Sequence, residues 1–92
     1  MLKIKSVLSP ALDGSGQFTE TFGDFEVVNE AIVSMTDPAI PDNILATSRS
    51  IAGNVITVTV LKYNVLGAPT PWVPAVTGDV AGCVFTFIVD GG

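Results

Sequence analysis

The chain has 92 residues, of which 48% are hydrophobic and only 14% charged, with four basic residues against nine acidic ones and no histidine. Soluble domains carry about 25% charged residues, so this surface has too little charge for an ordinary monomer, and some apolar area is expected to meet other chains. The missing histidines and the single cysteine, Cys83, leave little for general acid-base, thiol or zinc chemistry and exclude an intrachain disulfide.

A chain of this length makes one domain. The net charge of −5 lacks the basic face that neutralises phosphates, so nucleic acid is not an expected partner, and anionic membrane surfaces are disfavoured by the same sign. No apolar run reaches the roughly 20 residues of a membrane span. The opening residues hold Lys3 and Lys5, but Ser6, Ser9 and Pro10 interrupt the apolar stretch and make a poor signal peptide. A chain made and kept soluble in a cytoplasm is the simplest expectation.

In chain order, Leu2 to Leu8 alternates Leu2, Ile4, Ser6 and Leu8 with Lys3, Lys5 and Val7, which predicts a strand. Asp13 to Gly16 reads as a flexible linker, so residues 1–16 form either an extended N-terminal strand or an arm on a neighbouring subunit. Gln17 to Phe22 predicts a short strand closed by a turn at Gly23 and Asp24. Phe25 to Met35 fits a helical stripe of Phe25, Val28, Ile32 and Met35. Its β-branched content favours a strand with Phe25, Val27, Ala31, Val33 and Met35 on one face.

Asp37, Pro38, Pro41, Asp42 and Asn43 predict a loop. Asp37, Asp42 and Asn43 offer oxygen ligands for calcium, but the spacing of an EF-hand loop is absent, so no metal site is assigned. Ile44 to Ile51 and Val55 to Tyr63 predict a hairpin turned at Gly53 and Asn54. Gly67 to Pro74 reads as an extended, proline-rich loop around Trp72, and Gly78, Asp79 and Gly82 as a further turn. The final strand, Cys83 to Asp90, sets Cys83, Phe85, Phe87 and Val89 against Val84, Thr86 and Ile88. Both faces are apolar enough to be covered, whereas an antiparallel sheet commonly leaves one face to water.

These elements predict an all-β fold: an antiparallel β-sandwich, or an Ig-like or jelly-roll-like barrel, over residues 1–92, with Val58, Val60, Phe85 and Phe87 in the core. A carboxylate pair from Glu20, Glu26 and Glu30 is the one enzymatic arrangement the residues offer. Solvated strand acids explain the same residues, and no catalytic residue and no cofactor are assigned. Cys83 alternates with phenylalanines and reads as a buried thiol. Trp72 either folds over an open end of the sandwich or anchors a partner or a sugar ring. The candidate subunit or partner contacts are Trp72, Val84, Thr86 and Ile88.

From Ile44 onward, the run ILATSRSI, the Gly53–Asn54 turn, VITVTVLKY, the segment PWVP and the C-terminal GDVAGCVFTFIVDGG resemble small single-domain β-sandwich proteins of tailed-phage virions. These include head-decoration proteins, head fibres and tail modules. The resemblance covers about half the chain. It implies a non-enzymatic virion protein that decorates and stabilises a capsid as a homo-oligomer against other virion proteins, such as the major capsid protein. A tail-associated or adhesin module that binds a surface glycan is the alternative, and a small carboxylate-dependent enzyme a third.

Overall fold

The computed structural model describes residues 1–36, 44–64 and 71–92. The loop read over 37–43, with its candidate calcium ligands, and the start of the proline-rich segment lie outside them. The described chain is all-β: β1 (Leu2–Leu8), β2 (Gln17–Thr21), β3 (Val28–Met35), β4 (Leu45–Ala52), β5 (Val55–Tyr63), β6 (Trp72–Pro74) and β7 (Val84–Gly91), with one 3-10 turn at Thr77–Val80. Sheet A has the order β1-β7-β3. In sheet B, β5 is central, with β4 on one side and β2 followed by β6 on the other. All pairings are antiparallel, and the two sheets pack as a β-sandwich.

Strand alternation places the core between the layers. Ile56, Val58 and Val60 of β5 face Phe85, Phe87 and Val89 of β7, all fully buried, with Cys83 at the head of the same row. Aromatic contacts tie the layers together. Phe18 of β2 meets Phe85 edge-on at 5.0 Å and Phe87 at 6.2 Å, and Phe22 lies 5.8 Å from Phe87. The four expected core residues are therefore in place.

The β4–β5 hairpin turns on Gly53 and Asn54, and Gly53 takes φ 60°. A two-residue hairpin turn needs positive φ at its first central position in the II′ geometry, which glycine adopts without strain.

Three expectations are corrected. The strand expected from Phe25 begins at Val28, and a bulge between Val28 and Glu30 breaks its alternation. Asn29 and Glu30 both face outward, so Val28 and Ala31 both reach the core, while Val27 is exposed.

Trp72–Pro74 is a short strand on β5, not a loop. The bonds from Asn64 N–H to the Pro71 carbonyl and from Ala75 N–H to the Val60 carbonyl set the ladder's phase. That phase leaves the nitrogen of Pro74 on the open edge, where a proline is tolerated.

Asp13–Gly16 is a fastened turn, not a flexible linker. The Asp13 carboxylate accepts hydrogen bonds from the N–H groups of Ser15 (2.8 Å) and Gln17 (2.9 Å). Gly16 is buried at φ 73°, where an added Cβ would stand 2.5 Å from the Val60 carbonyl oxygen. The Gly16 carbonyl accepts the Val60 N–H at 2.8 Å, so the turn locks β2 to β5.

Candidate interaction surface

The alternation of β1 permits either of its faces to point inward. An amphipathic strand ordinarily buries its apolar side, which would hide Leu2, Ile4 and Leu8. The fold does the reverse: those residues are 72%, 69% and 67% exposed, while Lys3, Lys5 and Val7 turn toward sheet B. The reason lies on the neighbouring layer. β2 and the turn after it bring Glu20 to Lys5 and Asp24 to Lys3 as ion pairs, and the Lys5 ammonium also stands 5.9 Å from the Phe22 ring. A slip of one residue in the β1–β7 register would flip every side chain and break both pairs. The hydrogen bond from Lys3, and then its charge, hold the Asp24 carboxyl below its usual range.

The β1–β7–β3 register arranges the outer face of sheet A in rows. Leu2, Asp90 and Glu30 form one row, Ile4, Ile88 and Ile32 the next, then Ser6, Thr86 and Ser34, and Leu8 beside Val84. Ile88 is 40% exposed and Ile32 61%, so three isoleucines lie side by side in water. Ser6 and Thr86 join hydroxyls across the strands at 3.2 Å. Val84, Thr86 and Ile88, three of the four expected contacts, thus belong to one surface. Leu2, Ile4, Leu8 and Ile32 extend it and were not singled out from the sequence.

The outer face of sheet B is divided: its central part is hydroxylated, while the end where β6 joins carries Leu61, Pro74, Tyr63 and Trp72. Gln17, Thr19 and Thr21 of β2, Thr57 and Thr59 of β5, and Ser48 and Ser50 of β4 share the hydroxylated part by register. The Gln17 side-chain amide donates to the Thr59 hydroxyl at 3.0 Å. The aliphatic rows of sheet A thus lie on the side of the sandwich away from this hydroxyl cluster and from the aromatic end beside it.

Trp72, the fourth expected contact, lies apart from the isoleucine row. It pairs in register with Tyr63, their rings edge-on at 5.3 Å, and both are exposed. Beside them is a cleft of about 480 Å³ lined by Lys62, Tyr63, Asn64, Val73, Val76 and Asp79. Asp79 is largely buried there and accepts hydrogen bonds from Lys62 Nζ at 3.1 Å and the Val76 N–H at 3.0 Å.

Of the three acids read as a possible carboxylate pair, Glu26 is exposed and the other two are held in ion pairs. Glu20 pairs with Lys5, and Glu30 with Arg49 Nη2 at 2.7 Å. Cys83 is buried. Among the described residues no three of His, Cys, Asp and Glu come together. No described helix is long and apolar enough to cross a membrane. Comparison with protein-family models, characterised proteins and solved structures finds no match.

Proposed function

We propose that the protein is a non-enzymatic structural subunit that works buried on one side, the aliphatic face of sheet A being covered by neighbouring chains. The exposed row of Ile4, Ile88 and Ile32, flanked by Leu2 and Leu8, carries this reading. Covering an exposed leucine or isoleucine is worth about 1.5 to 3 kcal/mol, and contiguous apolar patches on small soluble proteins mark interaction sites. The resemblance of the C-terminal half to small β-sandwich proteins of tailed-phage virions supports placing such a subunit on a virion, as a symmetric oligomer that decorates and stabilises the capsid against the major capsid protein. The test is binding of the purified chain to capsids that lack it. Saturable binding that raises particle stability supports the reading, and no binding refutes the capsid role.

A second reading, a tail-associated module that binds a surface glycan, draws on the exposed Tyr63–Trp72 pair beside the Lys62–Asp79 cleft. Aromatic faces stack on sugar rings, and adjacent charged groups can bond hydroxyls. Glycan-array binding by the isolated chain that Trp72→Ala abolishes would favour it.

A further inference from the structure

β1 is an edge strand of sheet A, and its hydrogen-bond phase is fixed at both ends. The Gly91 N–H donates to the Met1 carbonyl at 3.0 Å, and the Ser9 N–H to the Cys83 carbonyl at 2.9 Å. Antiparallel alternation therefore turns the N–H and C=O groups of the odd-numbered residues toward β7 and those of Leu2, Ile4, Ser6 and Leu8 away from the sheet. Among the described residues no strand covers that edge.

The opposite edge, β3, is blunted. The Thr36 N–H bond to the Val84 carbonyl sets its phase, so the backbone N–H and C=O of Ala31 point away from β7. Its N–H donates to Glu30 Oε1 at 3.0 Å, and its carbonyl accepts from Arg49 Nε. The bulge between Val28 and Glu30 disrupts the same edge. Bulges and charged side chains are the usual guards of sheet edges. On β1 the inward lysines are each held by an acid of the same chain, Asp24 or Glu20, and no backbone hydrogen bond among the described residues reaches the outward groups.

The geometry points to β1 pairing antiparallel with β1 of a second copy across a two-fold axis, an inference that rests on the reading of the chain as an assembly subunit. A head-to-tail ring that continues sheet A would need β3 as the acceptor, and β3 is blunted, whereas an isologous contact uses the open edge twice.

The register follows from parity and charge. Hydrogen-bonded partners must both be even-numbered, which leaves three central registers. Centring on Ile4 sets Lys3 opposite Lys5 of the second copy, and centring on Lys5 sets the two Lys5 residues opposite each other. Both place like charges directly across, which destabilises pairing. Centring on Ser6 sets Ile4 opposite Leu8, Lys5 opposite Val7 and Ser6 opposite itself, with about six inter-chain hydrogen bonds. The Ser6–Thr86–Ser34 row then runs unbroken across both copies, and the two aliphatic faces join into one.

Ser6→Cys tests this arrangement in the full chain, since paired residues at the axis stand about 5.5 Å apart between Cα atoms, within disulfide reach. Thr86→Cys is the control. The same axis would separate its two copies by about three strand spacings, roughly 14 Å. Under mild oxidation, Ser6→Cys is expected to give a covalent dimer on non-reducing gels and Thr86→Cys to stay monomeric. Ser6→Pro removes an outward N–H and the exposed hydroxyl contact with Thr86 but no bond of the β1–β7 ladder, so it is expected to keep the fold by circular dichroism and to halve the sedimenting mass.

Cross-linking through Thr86→Cys, or a folded Ser6→Pro that still sediments as wild type, would overturn edge pairing while leaving the assembly reading intact. A wild-type chain that is monomeric at every concentration and binds no capsid would remove both.

Discussion

Phe87 and Ile88 are consecutive residues of β7 that face opposite ways, and they separate folding from assembly within one strand. Phe87 is fully buried against Phe18 and Phe22. Phe87→Ala should cost about 3 to 5 kcal/mol, and a domain of this size loses roughly 4 to 8 °C in Tm per kcal/mol. The melting temperature should thus fall by at least about 12 °C. Ile88 sits between Ile4 and Ile32 on the outer face. In Ile88→Lys the aliphatic stem of lysine can lie along the sheet with its ammonium in water, so the fold should change by less than about 1 kcal/mol.

Association should respond in the reverse order. Ile88 is 40% exposed, so covering what remains is worth about 0.6 to 1.2 kcal/mol, and each 1.4 kcal/mol is tenfold in affinity. Losing that burial weakens binding by about three- to sevenfold, and an unpaired ammonium in the contact weakens it further. Thermal denaturation by circular dichroism and binding to capsids lacking the protein read the two quantities separately. The reasoning fails if Ile88→Lys lowers the Tm as far as Phe87→Ala does, or if it keeps the fold and binds as wild type.

Gly16→Ala should be among the most destabilising alanine substitutions outside the aromatic core. Its Cβ would meet the Val60 carbonyl at 2.5 Å from a backbone at φ 73°, and a loss above about 2 kcal/mol in urea denaturation is expected; an unchanged midpoint would contradict it. Because Lys3 depresses the Asp24 carboxyl, the pair contributes at neutral pH and is lost as pH falls through the depressed midpoint, below the ordinary carboxylate range. An NMR titration of Asp24 should show that midpoint, and Lys3→Met should return it to the ordinary value. Cys83, buried beside the phenylalanine row, should react with a thiol reagent only on unfolding, and rapid labelling of the native chain would contradict its placement.

The strands and the core were largely legible because β5 and β7 carry period-two alternation with β-branched and aromatic residues on the inner row. Alternation says that a strand has two faces, not which one turns inward. The inversion of β1 depends on Asp24 and Glu20, which reach Lys3 and Lys5 only after β2 has docked, so no local reading of Leu2–Leu8 reveals it. The β3 bulge did leave a trace: the adjacent polar pair Asn29 and Glu30, between apolar Val28 and Ala31, fits an extra residue better than strict alternation.

The prolines around Trp72 suggested a loop because they block ladder donors, and an edge strand needs only half of its donors. The turn at Asp13 to Gly16 was legible in principle, since an aspartate two residues before a serine favours an Asx turn. The candidate contacts Val84, Thr86 and Ile88 came from one strand with two apolar faces. The larger surface emerged only when pairing set Ile4 and Ile32 on either side of Ile88.

The central claim is that the aliphatic face of sheet A is covered in the working protein. Sedimentation equilibrium of the wild-type chain from nanomolar to high micromolar concentration, beside a variant carrying Ile4→Lys, Ile32→Lys and Ile88→Lys together, with both chains also tested on capsids lacking the protein, measures it most directly. Association of the wild type with itself or with the particle, lost in a triple variant that remains folded, is the predicted result. A wild type that stays monomeric throughout and binds no particle, or a folded triple variant that associates as the wild type does, would contradict it.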